Sequence, residues 1–312
     1  MRKWIKSILG IIIISLLFWY LSNHWHQLKY LLKLKLSEFI LIYIISLLST
    51  LNSAWIVKYL LNTLGTKTSY WDMFLLQNAT PLLNYLPMKF GTIFRANYLK
   101  RRYNLSYTNF ATFFLYLILL ILNFTTLTGF VTLQIVYGIV TFEQKILASI
   151  FFIFFILSFI LLLVPLPIPQ GHNVVSTTIK NFLISRKKIS KNFIVLAVCA
   201  VRLGINFLLS SFRLGIIYHS MGKDIHPGGY LILGAIENAA KYMSITPGAL
   251  GFRELVLGSG SLVLGVPLEV GIFAAVIDRA IMLSWVFVVG LFCTMWLWHK
   301  YPSDFQKTQI EQ

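Results

Sequence analysis

Acidic residues are scarce in this sequence. Ten Asp and Glu stand against 27 Lys and Arg in 312 residues, and charged residues of both signs make up only 12%. A soluble domain carries about twice that charged fraction, so a water-facing globular fold is excluded. Cysteine is nearly absent too. Cys199 and Cys293 each lie in an apolar run without a partner motif, which argues against a disulfide or zinc role and reads as two small core residues. The six histidines are scattered, and only His24-Trp-His26 pairs two of them closely. Beside Trp25 at the end of an apolar run, that pair reads as an interfacial belt and not as a metal site. No low-complexity tract, soluble domain or cofactor motif is found along the chain.

What the chain has instead is apolar length: 57% of residues are hydrophobic and the mean hydropathy is +0.76. Runs able to cross a bilayer, which takes roughly 20 residues, occur at 4–21, 39–61, 110–137, 146–168, 193–221 and 270–298. They are continuous and lack strict alternation, so they specify helices and not a barrel. The first begins Met1-Arg-Lys-Trp-Ile-Lys with no small-residue cleavage site after it, and is expected to be a retained helix.

The net charge of +17 sorts by topology. Basic clusters occur at Arg2, Lys3, Lys6; at Lys89, Arg95, Lys100, Arg101, Arg102; and at Lys180, Arg186, Lys187, Lys188, Lys191, with Lys300 and Lys307 at the end. With six crossings and a cytoplasmic N-terminus, all of these and Lys67 face the cytoplasm, leaving Lys29, Lys33, Lys35, Lys145 and Lys223 outside. The positive-inside rule favours that arrangement in a cytoplasmic membrane, with both termini inside. The inner clusters suit anionic headgroups. Nucleic acid is excluded as a partner, because these charges lie between spans and not on a soluble face. The segment 170–192 reads as a surface-lying cytoplasmic linker.

Two interrupted segments, 70–86 and 230–246, align without gaps at an offset of 160: Tyr70 on Tyr230, Asn78 on Asn238, Ala79 on Ala239, Pro87 on Pro247 and Gly91 on Gly251. The flanking runs correspond in order. The chain therefore reads as one polytopic domain of two halves, about 1–140 and 141–312, with broken re-entrant hairpins at about 70–105 and 229–265. Three full crossings per half, an odd number, would insert the second half upside down. Inverted repeats with matched broken helices point to a transporter site; a duplicated fold without transport is the alternative.

The second break reads Thr-Pro-Gly-Ala-Leu-Gly-Phe-Arg-Glu over 246–254. Pro247 removes a backbone donor and Gly248 and Gly251 admit unusual dihedrals, so the helix starting near Tyr230 ends here. Gly251 is the expected N-cap of a half-helix from Phe252 to about Leu264, with Glu254 at its third position. Free amides around Leu250 and Arg253 make an electropositive pocket suited to phosphate. In the first half, Pro87 and Gly91 make the matching turn, with Thr92 as the expected N-cap of a helix carrying Arg95.

Other intramembrane charges are functional candidates by default. Arg202 and Arg213 lie eleven residues apart, on one helical face. Glu237 and Lys241 have i, i+4 spacing and can pair. Asp278-Arg279 sits inside the last span, either as a ligand or as an ion pair joining helices, and Arg213 either binds or snorkels outward. With the aligned Asn78 and Asn238, these form the candidate headgroup-binding set.

At these residues the sequence resembles the transmembrane region of lysylphosphatidylglycerol synthetases, the flippase-like domain family. The likeness rests on Leu86-Pro-Met-Lys-Phe-Gly91 followed by Arg95 and Lys100-Arg-Arg; on Thr246–Glu254; and on Asp278-Arg279 followed by Gly290. Where the family pattern has an acid after the first glycine, this chain has Thr92, which weakens the case for a charge relay in that turn. The resemblance implies translocation of a lipid with a charged headgroup between leaflets. The chain ends at Gln312, just after the last span, so the aminoacyl-transferase domain and headgroup synthesis are not expected. The substrate would be an anionic or aminoacylated phospholipid, or a polyprenyl-linked sugar. Two other readings stand beside transport. One is a membrane-embedded transferase on a lipid carrier, for which no paired-carboxylate metal motif, phosphate loop or activated nucleophile is found. The other is an accessory subunit of a neighbouring lipid synthase or glycosyltransferase.

Overall fold

The computed structural model describes residues 34–85, 90–163, 176, 179–184, 192–243 and 251–300. The expected first span, the turn residues Pro87, Pro247 and Gly248, and most of the 170–192 linker lie outside the described residues.

Among the described residues the regular structure is helical. Long helices α1 (Leu36–Thr63), then the short α2 (Tyr70–Leu83) and α3 (Phe90–Tyr103), then α4 (Tyr107–Tyr137) and α5 (Phe142–Leu163) form the first part. After these come α6 (Phe193–Ser220), the short α7 (Pro227–Met243) and α8 (Phe252–Val263), and α9 (Leu268–Trp285), which runs through a π-helical turn, Val286–Gly290, into α10 (Leu291–Lys300). Five of these stretches are long and apolar enough to cross a bilayer: α1, α4, α5, α6 and the continuous Leu268–Lys300.

Local signals mark the ends. Glu38 accepts the Lys35 backbone N–H at 2.9 Å at the start of α1. The Ser106 hydroxyl and the Asn192 side chain accept first-turn amides of α4 and α6. Gly138 closes α4 in the left-handed region at φ 72.

The short helices pair with each other. α2 packs on α3 and α7 on α8, and at 14, 14, 17 and 12 residues none reaches beyond about 26 Å, short of the roughly 30 Å hydrocarbon core. α7 starts at Pro227, three residues earlier than its sequence pattern indicated, because Pro suits the first helical position.

One cap is corrected. Thr92 lies inside α3, already helical at Phe90, and its N–H donates to Asn84 Oδ1 at 3.0 Å. The acceptor for this first-turn amide comes from the residue ending α2, so a hydroxyl cap is not needed. The α2 and α3 ends can meet because Gly91 has no side chain: a Cβ there would overlap the Thr80 carbonyl oxygen.

Side chains bury in two apolar clusters. One gathers Leu60, Leu61, Leu76, Leu99, Phe113 and Leu297; the other gathers Ile42, Leu133, Leu214, Ile217, Ile232 and Ala274. α1, α4 and α6 run through both. Outside, large apolar side chains face outward in number, among them Ile146, Ile150, Ile153 and Leu157 on α5 and Phe292, Met295 and Trp296 on α10. An apolar surface of that extent suits hydrocarbon and not water, and with five membrane-length helices it makes this an integral membrane protein.

Candidate functional site

Four helices bring ionised side chains to one place. α6 supplies Arg213, α7 supplies Glu237 and Lys241, α8 supplies Arg253, and α9 supplies Asp278. Glu237 Oε1 accepts from Arg213 Nη2 at 2.8 Å, from Arg253 Nη2 at 2.6 Å and from Lys241 Nζ at 2.8 Å. Asp278 is gripped by Arg213 through Nε to Oδ1 at 2.7 Å and Nη2 to Oδ2 at 3.3 Å, and Arg253 Nη2 also donates to Oδ2. Both carboxylates are fully buried, and both arginines nearly so.

The spacing in sequence explains who meets whom. Glu237 and Lys241 are one turn apart on α7 and pair along it. Consecutive helical residues point about 100° apart, so Asp278 turns into the cluster while Arg279 turns to Glu254, 2.7 Å away. Arg253-Glu254 on α8 thus faces Asp278-Arg279 on α9 with opposite order of sign. Gly251 caps α8 at φ 78, which places Glu254 at the third helical position, and its carboxylate serves Arg279.

The α2–α3 pair holds a neutral counterpart. Arg95 on α3, 4% exposed, donates through Nη1 to Gln77 Oε1 on α2 at 2.7 Å, as Arg253 on α8 donates to Glu237 on α7. Among the described residues, Arg95 Nε and Nη2 have no hydrogen-bond partner. The aligned Asn78 and Asn238 also behave alike, each donating to the carbonyl four residues back, Phe74 and Gly234.

Beside the cluster lies a cavity of about 200 Å³ lined by α1, α2, α4, α6 and α7. Its polar wall comprises Gln77, Asn206, Ser210, Arg213, Asn238 and Lys241, with Ser49, Ser53 and Thr125. It sits where α1, α4 and α6 pass from one apolar cluster to the other, at residues 49–53, 121–125 and 203–210. Ser49 falls near the middle of the 28-residue α1. Asn206 ties the wall together, donating to Ser53 Oγ at 2.9 Å and accepting from Asn52 at 2.9 Å.

Of the candidates read from sequence, Arg213, Glu237, Lys241, Arg253 and Asp278 converge, Glu254–Arg279 adjoins them, and Asn238 and Arg95 flank the cavity. Arg202 goes elsewhere: its guanidinium stacks over Trp55 at 4.2 Å and bonds Asn52 at 3.1 Å. Asn78 accepts from Trp285, and Gly91 serves helix packing. Sequence reasoning missed Ser49, Ser53, Asn206 and Ser210. Their i, i+4 repeats within apolar runs, putting two polar groups on one helical face, were the available signal. Among the described residues no His, Cys, Asp and Glu grouping could hold a metal ion.

No curated protein and no solved structure matches the chain. The family model described as lysylphosphatidylglycerol synthase TM region matches residues 7–290. With that extent of match, the chain belongs to the lysylphosphatidylglycerol synthase TM-region family.

Proposed function

We propose that this protein moves a lipid with a charged, phosphate-bearing headgroup between membrane leaflets. The observation that carries this reading is a polar, cation-lined cavity at mid-depth between two apolar cores, in a family defined by a lipid synthase's membrane region. Buried charge at that depth is costly and in membrane proteins marks pathways for polar cargo. The headgroup passes through the cavity while the tails stay in the bilayer, so no bond is made or broken and the protein acts as a transporter and not an enzyme.

The order of elements supports an inverted-repeat design. α1 through α4 run long, short, short, long, with 28, 14, 14 and 31 residues. From α6 to α10 the same pattern recurs as 28, 17, 12 and 33 residues. α1 packs on α6, α2 on the α9–α10 stretch, and α7 on α4, so the contacts also exchange between the sets. In this reading α2–α3 and α7–α8 are re-entrant hairpins entering from opposite faces, and 4–21 supplies the sixth crossing with both termini cytoplasmic.

Reconstitution tests it. In proteoliposomes with a fluorescent anionic phospholipid, leaflet exchange measured by quenching should exceed the protein-free rate. Arg253→Ala should bring it back to that rate while eluting as folded protein. Wild-type exchange in Arg253→Ala would remove this site from the mechanism.

A further inference from the structure

The cavity's charge balance narrows the substrate. We infer that it accepts an anionic, hydroxyl-bearing headgroup, a phosphate with glycerol or sugar, and disfavours a headgroup carrying a lysyl ammonium. This rests on the transport reading for its route, but concerns binding alone.

Each acid is already in an ion pair. Glu237 and Asp278 are fully buried and serve Arg213, Arg253 and Lys241, while Glu254 serves Arg279. Counting the cavity wall and the charges bonded to it or to its ion cluster, Arg95, Arg213, Lys241, Arg253 and Arg279 stand against three carboxylates, a surplus of positive charge. The surplus is located: Arg95 is buried beside Gln77, which lines the cavity, and among the described residues its one hydrogen bond goes to that neutral amide. Two of its N–H-bearing nitrogens have no partner among the described residues. A buried cation without a counter-charge is strongly disfavoured, and a phosphate oxygen supplies both the charge and the acceptors.

The rest of the wall is neutral and two-handed. Gln77, Asn206 and Asn238 each donate and accept, as do Ser49, Ser53 and Ser210, a set matched to hydroxyl groups. Among the described lining residues there is no carboxylate. An added ammonium would enter next to Arg213 and Lys241 with no lining carboxylate to receive it, and such like-charge placement works against the wrong ligand.

Titration of the purified full chain with short-chain lipids tests this by thermal shift and native mass spectrometry. Phosphatidylglycerol and phosphatidylinositol should bind saturably, and lysylphosphatidylglycerol about tenfold more weakly. Arg95→Gln should weaken anionic-lipid binding about tenfold. Asn206→Asp, which adds a carboxylate to the wall, should shift preference toward lysylphosphatidylglycerol, and it keeps the idea testable if Arg95→Gln fails to fold. Free glycerol 3-phosphate forms the other arm: binding as tight as the lipid's would assign the site to a soluble phosphate and overturn the lipid assignment. Equal or tighter binding of lysylphosphatidylglycerol by wild type, or unchanged binding in a folded Arg95→Gln protein, would overturn the inference. Leaflet exchange is read separately. Intact lipid preference without exchange removes only the transport reading, and exchange without preference removes only this one.

Discussion

Glu237 carries one negative charge that three cations, Arg213, Lys241 and Arg253, share. Replacing it by Gln would leave Asp278 alone between two arginines in a buried site. Breaking such a pair from one side costs about 3–5 kcal/mol, and Glu237→Gln should lower the unfolding midpoint in detergent by roughly 10 °C. Gln77→Glu runs the other way. Arg95 is already buried and bonded to Gln77 at 2.7 Å, so a carboxylate there gives it the partner that Arg253 already has. The midpoint should rise, while exchange of an anionic lipid should fall because the surplus charge is spent. A lowered midpoint in Gln77→Glu would show that Arg95 is not short of a counter-charge.

At the scale of elements, the α2–α3 and α7–α8 pairs depend on glycine for different reasons. Gly251 sits at φ 78 with open space around its missing Cβ, so Gly251→Ala should cost only the strain of a positive-φ backbone, about 1–3 kcal/mol. Gly91 has ordinary dihedrals but lies against the Thr80 carbonyl. Gly91→Ala must push α2 from α3 and should cost about 1–3 kcal/mol, with Arg95 moved away from Gln77 and lipid binding reduced as well. Thermal midpoints of the two variants, beside anionic-lipid titrations, separate strain from displacement. This division was partly legible beforehand. Gly251 announced itself as a cap because Pro247 precedes it and a charged first turn follows. Gly91 looked the same by alignment, yet its job is set by a carbonyl eleven residues away, on another helix, which no local pattern encodes. The long helices were legible because hydrocarbon demands unbroken apolar runs. The Glu237–Lys241 pair was legible because it lies within one helix. Arg213–Asp278 and Arg253–Asp278 join separate helices, so spacing along the chain is silent about them, and the serines of the cavity wall resemble those of any packed membrane helix.

For the molecule as a whole, the two apolar clusters act as floors above and below a polar room. α1, α4 and α6 belong to both clusters, which fixes their two ends while the middle stretch lines the cavity. In the transport reading, fixed ends with a polar middle suit motion of the α2–α3 and α7–α8 pairs, of which α2 and α7 line the cavity through Gln77, Asn238, Lys241 and Tyr242. A headgroup then needs the roughly 200 Å³ between them, and filling that volume should stop its passage without unfolding the helices that enclose it. Ser53→Phe meets this condition. Ser53 lines the cavity and gives up one hydrogen bond, from Asn206 at 2.9 Å, a net loss of about 1 kcal/mol. The expected result is a near-unchanged unfolding midpoint with leaflet exchange at the protein-free rate. Ser149→Phe is the control: Ser149 lies on α5, exposed and away from the cavity, and this variant should exchange lipid as wild type does. Full exchange in Ser53→Phe would mean that the lipid travels along some other surface, with the cavity serving only to hold the ion cluster's surroundings polar.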